Sequence, residues 1–115
     1  MSRFSITNHK GVNITFENGW QVSVQWGPGN YCENYDSNDY ELPQKQDYWS
    51  SNSAEIAVWS KVGPHNGAFV ELEYDVVRGY CTADEVARVI HKVSTAKSTL
   101  TSKQMTKRLS KIWKW

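Results

Sequence analysis

Sulfur, proline and long apolar runs are all scarce in this chain. Two cysteines, Cys32 and Cys81, are too few for a disulfide scaffold and form no C-x-x-C pair, so they read as free thiols of a chain that folds in a reducing compartment. No stretch approaches the roughly 18 consecutive apolar residues of a membrane span, and the opening MSRFSITNHKG has no signal-peptide apolar run. A soluble, cytosolic protein with no membrane partner is expected. At 115 residues there is room for one modest core.

Catalytic and metal-binding patterns are also missing. The histidines are His9, His65 and His91; none stands at H-x-x-x-H or H-x-E spacing, and neither cysteine pairs with a histidine as zinc ligands do. Glu71 and Glu73 fall on one face of a predicted strand, where a solvated face explains them as well as an acid/base pair would. Gly27-Pro28-Gly29 looks at first like a phosphate cradle. However, proline removes a donor, no P-loop lysine follows, and the next residues are Tyr and Asp/Glu rather than the start of a helix. The chain is therefore expected to be no enzyme and to use no metal or cofactor.

The last thirty residues lack acid altogether. Residues 86–115 carry eight basic residues and no Asp or Glu, whereas residues 1–85 hold five basic residues against twelve acids, a balance of minus seven. Segregation on this scale concerns partners. It fits a partner molecule, an anionic nucleotide or nucleic acid among them, or neutralisation of one segment by the other, within a subunit or between the subunits of a homo-oligomer.

Periodicity supplies the fold. VNITFE and WQVSVQW both alternate, and between them Asn18-Gly19 suits a two-residue type I′ turn. AEIAVWSK (54–61) and AFVELEY (68–74) predict a second hairpin around VGPHNG, and VVRGY (76–80) is a candidate fifth strand. Thr82 and Glu85 stand at capping-box spacing ahead of Val86, Val89, Ile90 and Val93, an apolar helical stripe. After a polar linker, SKQMTKRLSKIWKW sets Met105, Leu109 and Ile112 on one side and lysines on another, a short basic amphipathic helix. The expectation is an α+β fold, an antiparallel sheet of four to five strands followed by two C-terminal helices. Residues 1–95 would form a single α+β domain and residues 96–115 a basic, helical C-terminal extension.

Two regions stand out for binding. Between residues 27 and 53 neither period survives, and tyrosine is interleaved with acid. Tyr31, Tyr35, Asp36, Asp39, Tyr40, Glu41, Asp47, Tyr48 and Trp49 form a candidate partner-binding loop. In the basic segment, Arg88, Lys107, Arg108 and Lys111 could attract an anionic ligand, with Trp113 and Trp115 stacking on a base. The competing reading lays the same helix flat on the sheet, with its lysines merely solvated.

The run Phe16-x-Asn18-Gly19-Trp20-x-Val22-Ser23-Val24-Gln25-Trp26-Gly27-x-Gly29-x-Tyr31-Cys32, with AEIAVW and GYCTADEVARVIHKVS, resembles a family of small tailed-phage and prophage proteins, over roughly residues 5 to 94. The resemblance implies phage origin, with the host cytoplasm as location; it assigns no activity and no site. In gross order the chain is also similar to anti-Thoeris proteins, which sequester cyclic nucleotide signals, though it shares no motif with them. Small phage proteins often disarm host defences. The leading expectation is thus a non-enzymatic phage-type binding protein that antagonises host defence by binding a nucleotide signal or nucleic acid. The alternative is a protein–protein inhibitor of a host nuclease or defence effector, acting through the acidic, tyrosine-rich loop.

Overall fold

The computed structural model describes residues 2–6, 10–37, 50–61 and 67–114. Five strands, β1 (Arg3–Ile6), β2 (Gly11–Thr15), β3 (Trp20–Gln25), β4 (Ala54–Ser60) and β5 (Val77–Cys81), pair antiparallel in sequence order. Two helices follow, α1 (Ala83–Ser94) and α2 (Ser102–Trp113), so the α+β architecture read from the periodicity is the observed one.

Registers align the apolar faces. Val12 lies opposite Val24 and Ile14 opposite Val22, while across the other edge of β3 Val22 meets Val58 and Val24 meets Ile56. Residues directly opposite one another share a sheet face. Trp20, Val22, Ile56 and Val58 therefore form one floor, and the helices cover it with Val89, Val93, Met105 and Leu109, all fully or nearly fully buried. Each such side chain contributes about 1.5–3 kcal/mol by burial, more than a solvated lysine on the opposite face can offset. The basic segment therefore shares this core. Past the helices the same apolar face runs on to Phe4 and Ile6 of edge strand β1, which are exposed.

Three local outcomes differ from the sequence expectation. The β2–β3 turn is not type I′: Gly19 alone of the pair has a positive φ (87°), and Gly19 N donates to Phe16 O at 2.9 Å while Phe16 N donates to Trp20 O at 2.9 Å. This is a three-residue loop ending in a left-handed glycine, and it frees the Asn18 side chain for another task. Residues 68–74 form no strand; Phe69 makes one bridge to Trp59, and Val70 N donates to Val58 O at 2.8 Å. The outer edge of β4 is shared, with β5 pairing along Ala54–Ala57 and the Phe69–Val70 segment meeting Val58 and Trp59. Strand β1 carried no period long enough to be recognised.

Asn18 joins the sheet to the helices. Its Nδ2 donates to Val93 O (2.8 Å), Ser94 O (3.3 Å) and Ala96 O (2.8 Å), and its Oδ1 accepts from Trp20 N at 3.0 Å. The fully buried Trp20 adds Nε1 to Lys97 O at 3.2 Å. Carbonyls at a helix C-terminus lack intrahelical partners, and here a turn of the sheet supplies the donors. At the other end of α1 the expected capping box is present, with Glu85 N on Thr82 Oγ1 and Thr82 N on Glu85 Oε1. Thr101 and Gln104 repeat it on α2.

Replacing Asn18 by Ala should lower unfolding free energy by about 2 kcal/mol, measured by urea denaturation. Asn18→Asp suits a turn equally well but sets a carboxylate against the helix carbonyls, so it should cost at least as much. An Asp variant as stable as the native chain would mean that the turn, not the helix contact, is what Asn18 serves.

Candidate protein-interaction surface

The irregular loop after β3 is held in place by its own polar groups. Asn30 N donates to Gly27 O at 3.1 Å and Gly27 N donates to Asn30 Oδ1 at 3.1 Å. Gly29 N reaches Tyr35 O at 3.4 Å, and Cys32 N and Tyr35 N donate to Asn30 O and Cys32 O. The amides that a phosphate cradle would present are thus engaged within the loop. Asn34 Nδ2 ties the loop to Trp26 O (2.7 Å) and Ser50 O (3.3 Å), and Glu33 is bonded twice to the segment before β4, through its N to Ser53 Oγ and its Oε1 to Asn52 N.

What the anchoring presents is tyrosine. The rings of Tyr31 and Tyr35 stack with centroids 5.3 Å apart and planes 10° apart. Tyr31 N donates to Glu55 Oε2 at 3.0 Å, and its carbonyl accepts Tyr80 N at 2.8 Å, which brings the loop against β5. The approach is close: a Cβ on Gly79 would lie 2.5 Å from Tyr31 Cβ, so only glycine fits there. Tyr31, Tyr35 and Tyr80 remain 45%, 41% and 58% exposed. Tyr80 also holds a left-handed backbone (φ 57°), a conformation that costs a bulky residue roughly 1–2 kcal/mol. Glu33 and Asp36 are exposed on the same loop.

Of the loop residues singled out from sequence, Tyr31 and Tyr35 come together in this way, and Asp36 is exposed next to Tyr35 in the chain. Asp39, Tyr40, Glu41, Asp47, Tyr48 and Trp49 lie outside the described residues. Tyr80 was missed, since VVRGY carries no loop composition; a glycine beside a large aromatic was the available signal.

The basic set is divided. Arg88, Lys107 and Lys111 are exposed. Arg108 instead binds inside the fold, with Nε to Lys92 O at 2.8 Å and Nη2 to Thr95 Oγ1 at 3.0 Å, joining α2 to the end of α1. Trp113 is half-buried with the Arg78 guanidinium 4.2 Å above its ring, and Arg78 also pairs with Glu73 at 2.9 Å. Trp115, His9 and His65 lie outside the described residues. The Arg78 salt bridge accounts in structural terms for Glu73, one of the two carboxylates expected on a strand that does not form.

Among the described residues no three His, Cys, Asp or Glu side chains gather where they could hold a metal ion, and no helix is long and apolar enough to cross a membrane. Cys32 and Cys81 are both buried and unbridged. Burial, and then the nearby Glu85 carboxylate, push the Cys81 thiol up to about 12, with Arg78 opposing. Comparison with family models, curated proteins and solved structures returned no match.

Because the folded thiol titrates above its ordinary 9.0, the stability it confers is complete below pH 9 and is lost as pH rises towards about 12. The urea midpoint should fall across that interval, and less steeply in Cys81→Ala. At pH 8 a thiol reagent should leave Cys81 unmodified in the native protein and label it on unfolding; rapid native labelling would contradict its burial.

Proposed function

We propose that the chain is a small non-enzymatic binding protein of phage type that antagonises a host nuclease or defence effector by direct protein contact, through the surface of Tyr31, Tyr35 and Tyr80 with Glu33 and Asp36 beside it. One observation carries this reading: a loop whose backbone is bonded into place presents exposed, stacked tyrosines. Tyrosine offers a large amphipathic contact with few rotors to immobilise, and a loop ordered in advance avoids the entropy that binding would otherwise cost. The acids add a charge pattern suited to a groove that normally receives phosphate.

Two expectations test it. In Tyr31→Ala/Tyr35→Ala, capture of the host partner from cell extract, quantified by mass spectrometry against the native protein, should weaken by about 30-fold or more with the circular dichroism spectrum unchanged. Undiminished capture of the same host protein overturns the reading. Tyr80→Gly should weaken capture while raising unfolding free energy by up to about 1 kcal/mol, since glycine takes the left-handed backbone without strain.

A second reading, an anionic ligand on the helices, is supported by the exposure of Arg88, Lys107 and Lys111 and by the absence of acid from residue 86 onward. Arg108 and Trp113 would have to leave their present contacts to join it. Under this reading, cyclic nucleotides or single-stranded DNA bind at low salt and Lys107→Gln/Lys111→Gln weakens them; no detectable binding across such a panel removes it.

A further inference from the structure

At the end of the sheet where β3 finishes and α1 begins, a cleft of about 380 Å³ opens between Val24, Trp26 and Ala54 on one side and Cys81, Ala83 and Val86 on the other, with residues 50–53 along its margin. Its volume is at the low end of ligand pockets, roughly 300–1,000 Å³, and its walls are largely carbon. Among the described residues no lysine or arginine lines it. Acids stand at its margin instead. Glu33 Oε1 accepts the N–H of Asn52, a lining residue. Glu85 Oε1 accepts Thr82 N, between the lining residues Cys81 and Ala83, and Asp84 is exposed on the same first turn of α1.

The N-terminus of α1 contributes a positive end equivalent to roughly half a charge, and its capping box already answers that. The cation that acts on the lining residue Cys81, Arg78, is itself paired with Glu73, so the three carboxylates at the margin outweigh the helix end. The surface is continuous with the tyrosine loop: Asn34 bonds both Trp26 O and Ser50 O, and Glu33 belongs to the loop itself.

We infer that this cleft receives an apolar anchor side chain from the partner protein, carried on a segment with lysine or arginine within one or two positions of the anchor. This deepens the proposed tyrosine surface and rests on it: the tyrosines cover the partner beside the cleft, the cleft takes the anchor, and Glu33, Asp84 and Glu85 select its basic neighbours. Anchors in pockets dominate affinity, while charges at the margin act on selectivity and association rate.

The probe is a displayed library of random 12-residue peptides selected on the immobilised full chain at moderate salt. The enriched sequences should hold one large aliphatic or aromatic residue flanked by Lys or Arg. A synthetic peptide of that consensus should bind, by fluorescence anisotropy, about tenfold or more weakly to Ala83→Trp, which fills the cleft from an exposed helical position, and about threefold more weakly to Asp84→Lys. Thermal unfolding of each variant within a few degrees of the native chain excludes misfolding. Peptides bound equally by Ala83→Trp and the native chain, but lost in Tyr31→Ala/Tyr35→Ala, overturn the cleft and leave the tyrosine surface standing. Peptides lost in Ala83→Trp but unaffected by the tyrosine changes keep the cleft and remove the tyrosine surface from it. Enrichment of acidic peptides, or none above an unrelated control protein, overturns the inference.

Discussion

The C-terminus of α1 is the point on which the arrangement depends. A helix ends with carbonyls that need donors, and here they come from a β-turn and a core tryptophan: Asn18 reaches three of them and Trp20 the carbonyl of Lys97. Arg108 reaches Lys92 O and Thr95 Oγ1 in the same region from the following helix. Sheet, α1 and α2 thus meet at one cluster of polar contacts beside the buried Trp20. Val93 O and Lys97 O also accept the amides of Ala96 and Leu100, so the loss of Asn18 falls on the Ser94 and Ala96 carbonyls, at about 1–3 kcal/mol for each left unsatisfied. With these donors in place, α1 is fixed across the sheet, and its N-terminus is delivered to the far end, where the loop after β3 and the start of β4 converge.

That division of labour explains why charge and composition mislead when read as a plain tally. Arg108 and Trp113 look from sequence like a cation and a stacking ring available to a ligand, yet the structure uses one to join two helices and the other as a surface for Arg78. The loop after β3 is the reverse case. Its Asn, Ser and Glu side chains look like solvated spacers, but Asn30, Asn34, Glu33 and Ser53 hold the backbone. Polar residues inside this loop replace a sheet ladder, and the aromatic residues they free face outward.

The fold was legible where a period was long or a cap was complete. WQVSVQW, AEIAVWSK and the Thr82–Glu85 box each combine several consistent signals, and each became the expected element. Legibility failed where tertiary contact decides. AFVELEY alternates as well as any strand, but β5 occupies much of the β4 edge, so Val70 and Leu72 are buried without a ladder. Asn18-Gly19 favours a type I′ turn locally, but the helix end selects another turn that uses the Asn18 side chain. The candidate surface was half legible: tyrosine density marked Tyr31 and Tyr35, whereas Tyr80 depends on a cross-loop bond to Tyr31 that no local pattern announces.

Backbone strain coincides with the tyrosine surface at Tyr80, and Glu73 (φ 81°) and Lys114 (φ 58°) share the left-handed backbone elsewhere. Tyr74 is the more solvent-exposed residue, but single exposed aromatics are common on protein surfaces and need no special cause. Tyr80 is different because its backbone lies at φ 57°, where glycine or asparagine would sit with less strain. The residue next to it, Gly79, is the one that must be small, and it is small. A bulky residue in a left-handed position, its N–H bonded to Tyr31 O beside a glycine that lets Tyr31 approach, places backbone strain where the two exposed tyrosines meet.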